Sequence, residues 1–426
     1  MTARLRKLWL DLKGSYWFLP ALFSLLALGL SAFTIWLDLT GAGWWFSGTG
    51  WLESSGAEGA RSLLTVIASA MIAMASTVFA ITIAAVAYAS GNYGPRLLTN
   101  FMNDRGNQVA LGTFIATFVY AVMVLRVVDS GGDGPDAAPA FIPQLSLFVA
   151  TWMAAFAVAV LVYFLHHIPA SIRINSVIGG IGRRLLRDID ARFPDDFEGR
   201  EPARERSGDP IFPDEAGYVE IIDFATLDEI AEETGATIGL CLRAGDFVHP
   251  AIPLAQIDGA PCDEELAARV CRAFAIGNSR TREQDLEFLF DELVEIALRA
   301  LSPGINDPFT ALSAIHWLGA ATARLAGRDL SPGPEQDRYD PARVRPLADD
   351  FAHFLDRGFG ALRNSAAASP IAGTMVLESL ATVRRAAGTE ARADAVRAEA
   401  GRFLAQAERA LDGPALEELR ERASEA

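Results

Sequence analysis

Four apolar runs dominate the first 168 positions: Tyr16 to Leu37, Ser62 to Ala89, Gln108 to Val128 and Leu145 to Leu165. Each reaches the roughly 20 residues that a helix needs to cross a hydrocarbon layer. The pattern predicts four membrane spans, at about 16–37, 62–89, 108–128 and 145–165. The second is too long for a perpendicular helix, so it should tilt or project beyond the bilayer before Gly91 to Pro95 breaks it. The first run follows Arg4, Arg6, Lys7 and Lys13. It is read as an uncleaved span: the apolar run exceeds a signal peptide's, and no small-residue cleavage site follows cleanly.

Beyond residue 168 the periodicity changes. Residues 173–193 read as a juxtamembrane helix and Phe193 to Asp214 as a linker rich in Pro and charge. A strand is predicted over 217–223, a short helix over 226–233, a strand over 236–242, a turn at Ala244-Gly245-Asp246 and an extended piece over 252–257. From Asp263 the pattern is helical: 263–276, 283–301, 308–325, 341–363, 370–386, 389–411 and 414–424, with a loop over 331–340. The fold class is an α-helical membrane protein: four transmembrane helices (1–168), a juxtamembrane helix and linker (169–215), a small β module (216–258) and a mostly α-helical cytoplasmic domain (259–426).

Charge orients this arrangement. The N-terminus, the 90–107 loop and the segment after 166 are rich in Lys and Arg. The Asp38–Ala60 and Asp129–Pro143 loops contain none, although Arg61 and Arg126 sit at their edges. By the positive-inside rule both termini are cytoplasmic in the inner (plasma) membrane, and Trp44, Trp45, Phe46 and Trp51 rest at the outer boundary. Residues 1–168 carry eight basic and eight acidic side chains, so the net charge of −16 belongs to the rest. An acidic domain lacks the basic face that nucleic-acid binding requires.

The densest stretch is Ser279 to Trp317. Thr281 and Gln284 have capping-box spacing, and Leu286, Leu289, Phe290, Leu293, Ile296, Ala297 and Ala300 then form one apolar helical stripe. Ser302-Pro303-Gly304 stops that helix; Asn306 or Asp307 caps the next, with Pro308 in its first turn. The string Ala300-Leu301-Ser302-Pro303-Gly304-Ile305-Asn306-Asp307-Pro308-Phe309-Thr310-Ala311, preceded by Arg280-Thr281 and Gln284-Asp285, resembles the hallmark of a bacterial predicted-membrane-protein family, domain of unknown function number twenty-two fifty-four. Ser90-Gly91-Asn92-Tyr93-Gly94-Pro95-Arg96-Leu97-Leu98, with Asp104-Arg105 and Gln108 after it, is a second matching string. The resemblance implies a multi-span membrane part with a cytoplasmic domain and supplies no activity.

Catalytic motifs are lacking: the chain has no His-Glu-x-x-His, Gly-x-Ser-x-Gly or Walker loop. Its only lysines are Lys7 and Lys13, which removes lysine Schiff bases and lipoyl or biotinyl attachment from the later domains. The turn around Gly245-Asp246 is similar to those of barrel-sandwich carrier modules in shape alone. Gly179-Gly180-Ile181-Gly182-Arg183-Arg184 reads as a hinge or a lipid-headgroup contact, and His166-His167 as interfacial. Cys241, Cys262 and Cys271 lack zinc spacing and are expected reduced. No enzyme activity, cofactor or metal is expected.

Three constellations remain. Asp285, Asp291, Glu292, Glu295 and Asp307 form either a solvated acidic face or a divalent-cation site. Arg280, Arg282, Asp285, Ser302, Asn306, Asp307 and Thr310 form either a capping turn with its supporting ion pairs or a polar ligand or subunit-contact site. In span two, Ser62, Thr65, Ser69, Ala73, Ser76, Ala80, Ala84, Ala87 and Gly91, with Thr77 beside them, form a small, hydroxylated stripe. It serves close helix packing or lines a pore. Gly91, Asn92, Gly94, Pro95 and Arg96 are the candidate gating bend. The leading expectation is an oligomeric ion channel gated through its cytoplasmic domain. The alternative is a non-conducting membrane scaffold or sensor that binds a cytoplasmic partner or ligand. The expected partners are the lipid bilayer and further copies of the chain.

Overall fold

The computed structural model describes residues 3–41, 56–94, 104–129, 141–193, 208–331 and 333–425. The Trp44–Trp51 aromatics, Pro95, Arg96 and most of the 129–143 and 193–214 segments lie outside them. The chain forms two compact units, Leu12–Arg173 and Met1–Asp11 with Ile174–Ala426.

Helix α1 (Ala3–Gly14) leads into α2 (Phe18–Leu39), α3 (Ala57–Tyr93), α4 (Arg105–Leu125) and α5 (Gln144–Ile172). The last four are long and apolar enough to cross a membrane. Helix α4 is the centre of this unit and packs against the other three. Gly112 permits that closeness, because a Cβ there would lie 2.9 Å from the Phe23 ring. Several polar groups inside the bundle are paired, as a low-dielectric interior favours. The Tyr120 hydroxyl meets Thr34 Oγ1 at 2.8 Å and donates to the Ser146 carbonyl at 3.2 Å. Asp38 reaches across from α2 to cap α5, accepting from the Leu145 and Ser146 amides at 3.0 Å and the Ser146 hydroxyl at 2.7 Å. Asp104 caps α4 and meets His167 Nε2 at 2.9 Å. Helix α3 ends within the expected Gly91–Pro95 break. Its hydrogen bonds continue to Tyr93, and it ends at Gly94, whose φ of 122° suits glycine.

In the larger unit, Met1–Asp11 is followed by α6 (Ile174–Arg192). Seven short strands follow: β1 (Asp209–Ile211), β2 (Gly217–Ile222), β3 (Thr237–Leu240), β4 (Phe247–Val248), β5 (Ala255–Asp258), β6 (Phe274–Gly277) and β7 (Val344–Arg345). One sheet has the order β1-β5-β3-β7, antiparallel except for the β3–β7 pair; the other is antiparallel, β4-β2-β6. Ile211, Val219, Ile238, Leu254, Val270 and Phe274 join both sheets in one core with α7 (Phe224–Thr234) and α8 (Glu264–Cys271). Helices α9 (Leu286–Ala300), α10 (Pro308–Ala326), α11 (Phe351–Leu355), α12 (Ala361–Ala367), α13 (Pro370–Arg385), α14 (Glu390–Ala410) and α15 (Gly413–Glu425) complete the unit.

The β part is larger than its local pattern predicts. The helix expected over 263–276 ends at Cys271, because Phe274–Gly277 pairs with β2 instead. Strand β1 falls within the expected linker. Strand β7 lies within the expected 341–363 helix, which starts only at Phe351 and contains one π turn, Asp356–Gly360. The Ala244–Asp246 turn is no projecting carrier hairpin. It passes from one sheet to the other, with Gly245 N donating to Val219 O at 2.7 Å and Val219 N to Asp246 O at 2.9 Å.

Candidate functional site

The buried face of α3 is Leu64, Ile67, Ala68, Met71, Ala75, Val78, Thr82, Ala85 and Ala89, which pack toward α4 and α5. At about 100° per residue, Ser62, Thr65, Ser69, Ala73, Ser76, Ala80, Ala84, Ala87 and Gly91 fall on the opposite side, and all nine are exposed. Among the described residues, no helix of the chain packs closely on this stripe. Bulky residues flank it: Leu63, Ile72, Phe79, Ile81 and Tyr88 are exposed beside it. The hydroxyls of Ser76 and Thr77 donate back to Ile72 O and Ala73 O at 3.0 Å, so each still has lone pairs to offer outward. Of the gating-bend residues, Gly91 and Gly94 close the end of α3, while Pro95 and Arg96 lie outside the described residues.

In the larger unit the motif residues before α9 are spent on ion pairs and sheet contacts. Thr281 and Gln284 do not form a capping box. The Thr281 hydroxyl donates to Glu220 O at 3.1 Å, and the Gln284 amide holds both Ile222 O (2.9 Å) and Ile222 N (2.8 Å). Asp285 is the cap instead, accepting from Phe288 N at 3.0 Å. It also meets Arg280 at 2.6 Å, and Gly245, at φ 98°, clears the space, since a Cβ there would lie 2.1 Å from Asp285 Oδ2. Burial pushes the Asp285 carboxyl up to about 6 despite the Arg280 charge.

The network continues along one side of α9. Arg280 also pairs with Asp291, which receives two bonds from Arg357 at 2.8 and 2.7 Å. Arg357 reaches Glu287 at 2.7 Å, and Glu287 meets His353 Nε2 at 2.9 Å. Burial would raise the Glu287 carboxyl, but the His353 hydrogen bond and the Arg357 charge together hold it at about 2. That same hydrogen bond raises His353 above 6.5. Arg282 pairs with the buried Glu292 at 2.7 Å. Asp349 bridges Arg192, at the end of α6, to Arg243 of the β part at 2.6 and 2.9 Å.

These pairings assign three of the five acidic candidates to arginines. Asp285 and Asp291 face Arg280, and Glu292 faces Arg282; among the described residues no group of three or more His, Cys, Asp or Glu is arranged to hold a metal ion. Nor do the seven polar motif residues form one site. Asp307 caps α10, accepting from Thr310 N at 3.1 Å and the Thr310 hydroxyl at 2.6 Å. Asn306 precedes it in a left-handed conformation, φ 50°, and Ser302 Oγ donates to Arg299 O at 2.6 Å. This turn closes the far end of α9, about 22 Å along the helix from Asp285 at 1.5 Å per residue. Arg280, Arg282 and Asp285 are together; Ser302, Asn306, Asp307 and Thr310 are elsewhere.

Two features escape the sequence reading. One is a cavity of about 540 Å³ lined by Asp188, Arg192, Arg282, Asp285, Glu335 and Asp337, among others. The other is the role of the Gly179–Gly182 run. It lies within α6, where Gly182 packs against the Trp317 ring of α10.

Known proteins place this architecture. Uncharacterized proteins from Mycobacterium bovis and Mycobacterium tuberculosis are each 32% identical to it over 430 residues, covering 95% of this chain and 80% of theirs. No solved structure matches. The model of the predicted membrane protein family DUF2254 matches residues 13–382, more than four-fifths of the chain, so this four-span protein with its mixed sheet and helical unit belongs to that family.

Proposed function

We propose that this protein is an oligomeric ion channel of the inner membrane in which α3 of each copy faces a central path. The observation that carries this reading is the exposed stripe from Ser62 to Gly91, opposite the packed face of α3. Side chains facing lipid lose little by being bulky, whereas small residues let helices and their backbones approach closely. A long small-residue face thus favours a neighbouring helix or water over acyl chains. The hydroxyls of Ser69, Ser76 and Thr77 offer dipoles to a permeating ion, and with no charge on the stripe, selectivity rests on those dipoles and on pore width. Gating would come from the larger unit, on the cytoplasmic side with both termini, acting on the Gly91–Gly94 end of α3.

A second reading, a non-conducting scaffold or sensor, draws on the charged cavity beside Arg282 and Glu335, which has the volume for a small polar ligand. Cysteine cross-linking in membranes separates oligomer from monomer. Ser69→Cys and Ser76→Cys should form disulfide-linked dimers between copies, and Trp152→Cys, on the exposed face of α5, should not. Dimers through position 152 alone would overturn the α3-centred arrangement.

A further inference from the structure

Helix α1 divides into two opposed faces. On one, Lys7 Nζ lies 2.8 Å from Glu220 Oε2, and Arg6 donates to the Glu335 carboxylate, at 2.9 Å through Nη1. This is a fitted contact: Glu220 is buried, and Gly277 leaves room for the pair, since a Cβ there would meet both Glu220 Oε1 and Lys7 Nζ. On the other face Leu8, Trp9 and Leu12 are exposed at i, i+1 and i+4 spacing. Two leucines and a tryptophan facing water on a twelve-residue helix are costly, at about 25 cal/mol per Å² of apolar surface.

The chain itself indicates what covers them. Only Ser15, Tyr16 and Trp17 separate α1 from the membrane-crossing helix α2, so the apolar face cannot be far from the lipid surface. Three residues span at most about 11 Å. Trp9 and Trp17, both exposed, are the residue type that settles at the headgroup level, and the sequence of this segment adds Arg4 and Lys13, whose charge anionic lipid attracts.

We propose that α1 is an in-plane membrane helix whose Leu8–Trp9–Leu12 face enters the lipid headgroup layer while Arg6 and Lys7 stay bound to Glu335 and Glu220. The full chain, with Trp9 replaced by the photo-reactive p-benzoylphenylalanine, is reconstituted in vesicles of phosphatidylethanolamine and phosphatidylglycerol. Irradiation should yield a lipid adduct at position 9, detected by mass spectrometry, and none when the probe replaces the exposed Phe309 of α10. Adducts at position 9 to protein alone, whether a second copy or another segment, would overturn the proposal. If the probe variant fails to fold, fluorescence with brominated lipid decides: the emission that wild type has and Trp9→Phe lacks should be quenched. An unquenched difference overturns it equally.

Discussion

A Cβ added at Gly182 would lie 2.1 Å from Cδ2 of Trp317, so α6 and α10 meet backbone to ring. No flexible side-chain end is available there to yield. Gly182→Ala should therefore cost stability by overpacking, about 1–3 kcal/mol, although alanine is the better helix former. A lowered melting temperature of the purified protein checks this. An unchanged or raised value would show that the glycine serves another purpose.

The Glu287–His353 pair gives a pH dependence with two arms. Glu287 sits at about 2, below its ordinary 4.5, so its contribution is present above 4.5 and lost as pH falls toward 2. His353 is raised above 6.5, so its contribution is full below 6.5 and lost as pH rises through the raised value. At pH 5.5 Glu287→Gln should destabilise by about 2 kcal/mol, as for a hydrogen bond between charged groups. The difference from wild type should narrow on either side of that window. His353→Asn should remove the alkaline arm and shrink the acid one, which Arg357 alone then sustains. Melting curves from pH 2 to pH 9 read both, and a flat difference would contradict the pairing.

Asp307 caps α10 through both the amide and the hydroxyl of Thr310. Asp307→Ala should lower stability by about 1 kcal/mol, and Asp307→Asn by less, since the amide oxygen still accepts. Chemical denaturation of the three proteins measures this order. Equal stability of all three would return the turn to the list of ligand sites.

Much of the fold was legible in the sequence. The spans announce themselves because the bilayer fixes their length and apolarity. The helix-rich end follows from periodicity. The errors cluster where distant pairing decides. Phe274–Gly277 continues a helical pattern locally but finds an open edge on β2, and Val344–Arg345 finds one on β3. Thr281 and Gln284 have capping spacing, yet Ile222, 62 residues from Gln284, takes the amide side chain. The candidate site was legible in residue identity and not in grouping. Nothing local indicates that Asp291 and Glu287 share Arg357, or that Asp349 joins Arg192 to Arg243. The α3 stripe was legible as a stripe; only the packing of Leu64, Met71 and Val78 toward α4 and α5 fixes it as the face turned away from the other spans.

Planar-bilayer recording from the reconstituted full chain tests the central claim most directly. The account predicts unitary currents, and their loss in Ser76→Phe, which puts a large ring in the middle of the stripe while leaving the cross-linked oligomer intact. Electrically silent bilayers across voltage, tension and divalent-ion conditions, with folded protein present, would contradict it, as would unaltered currents from Ser76→Phe.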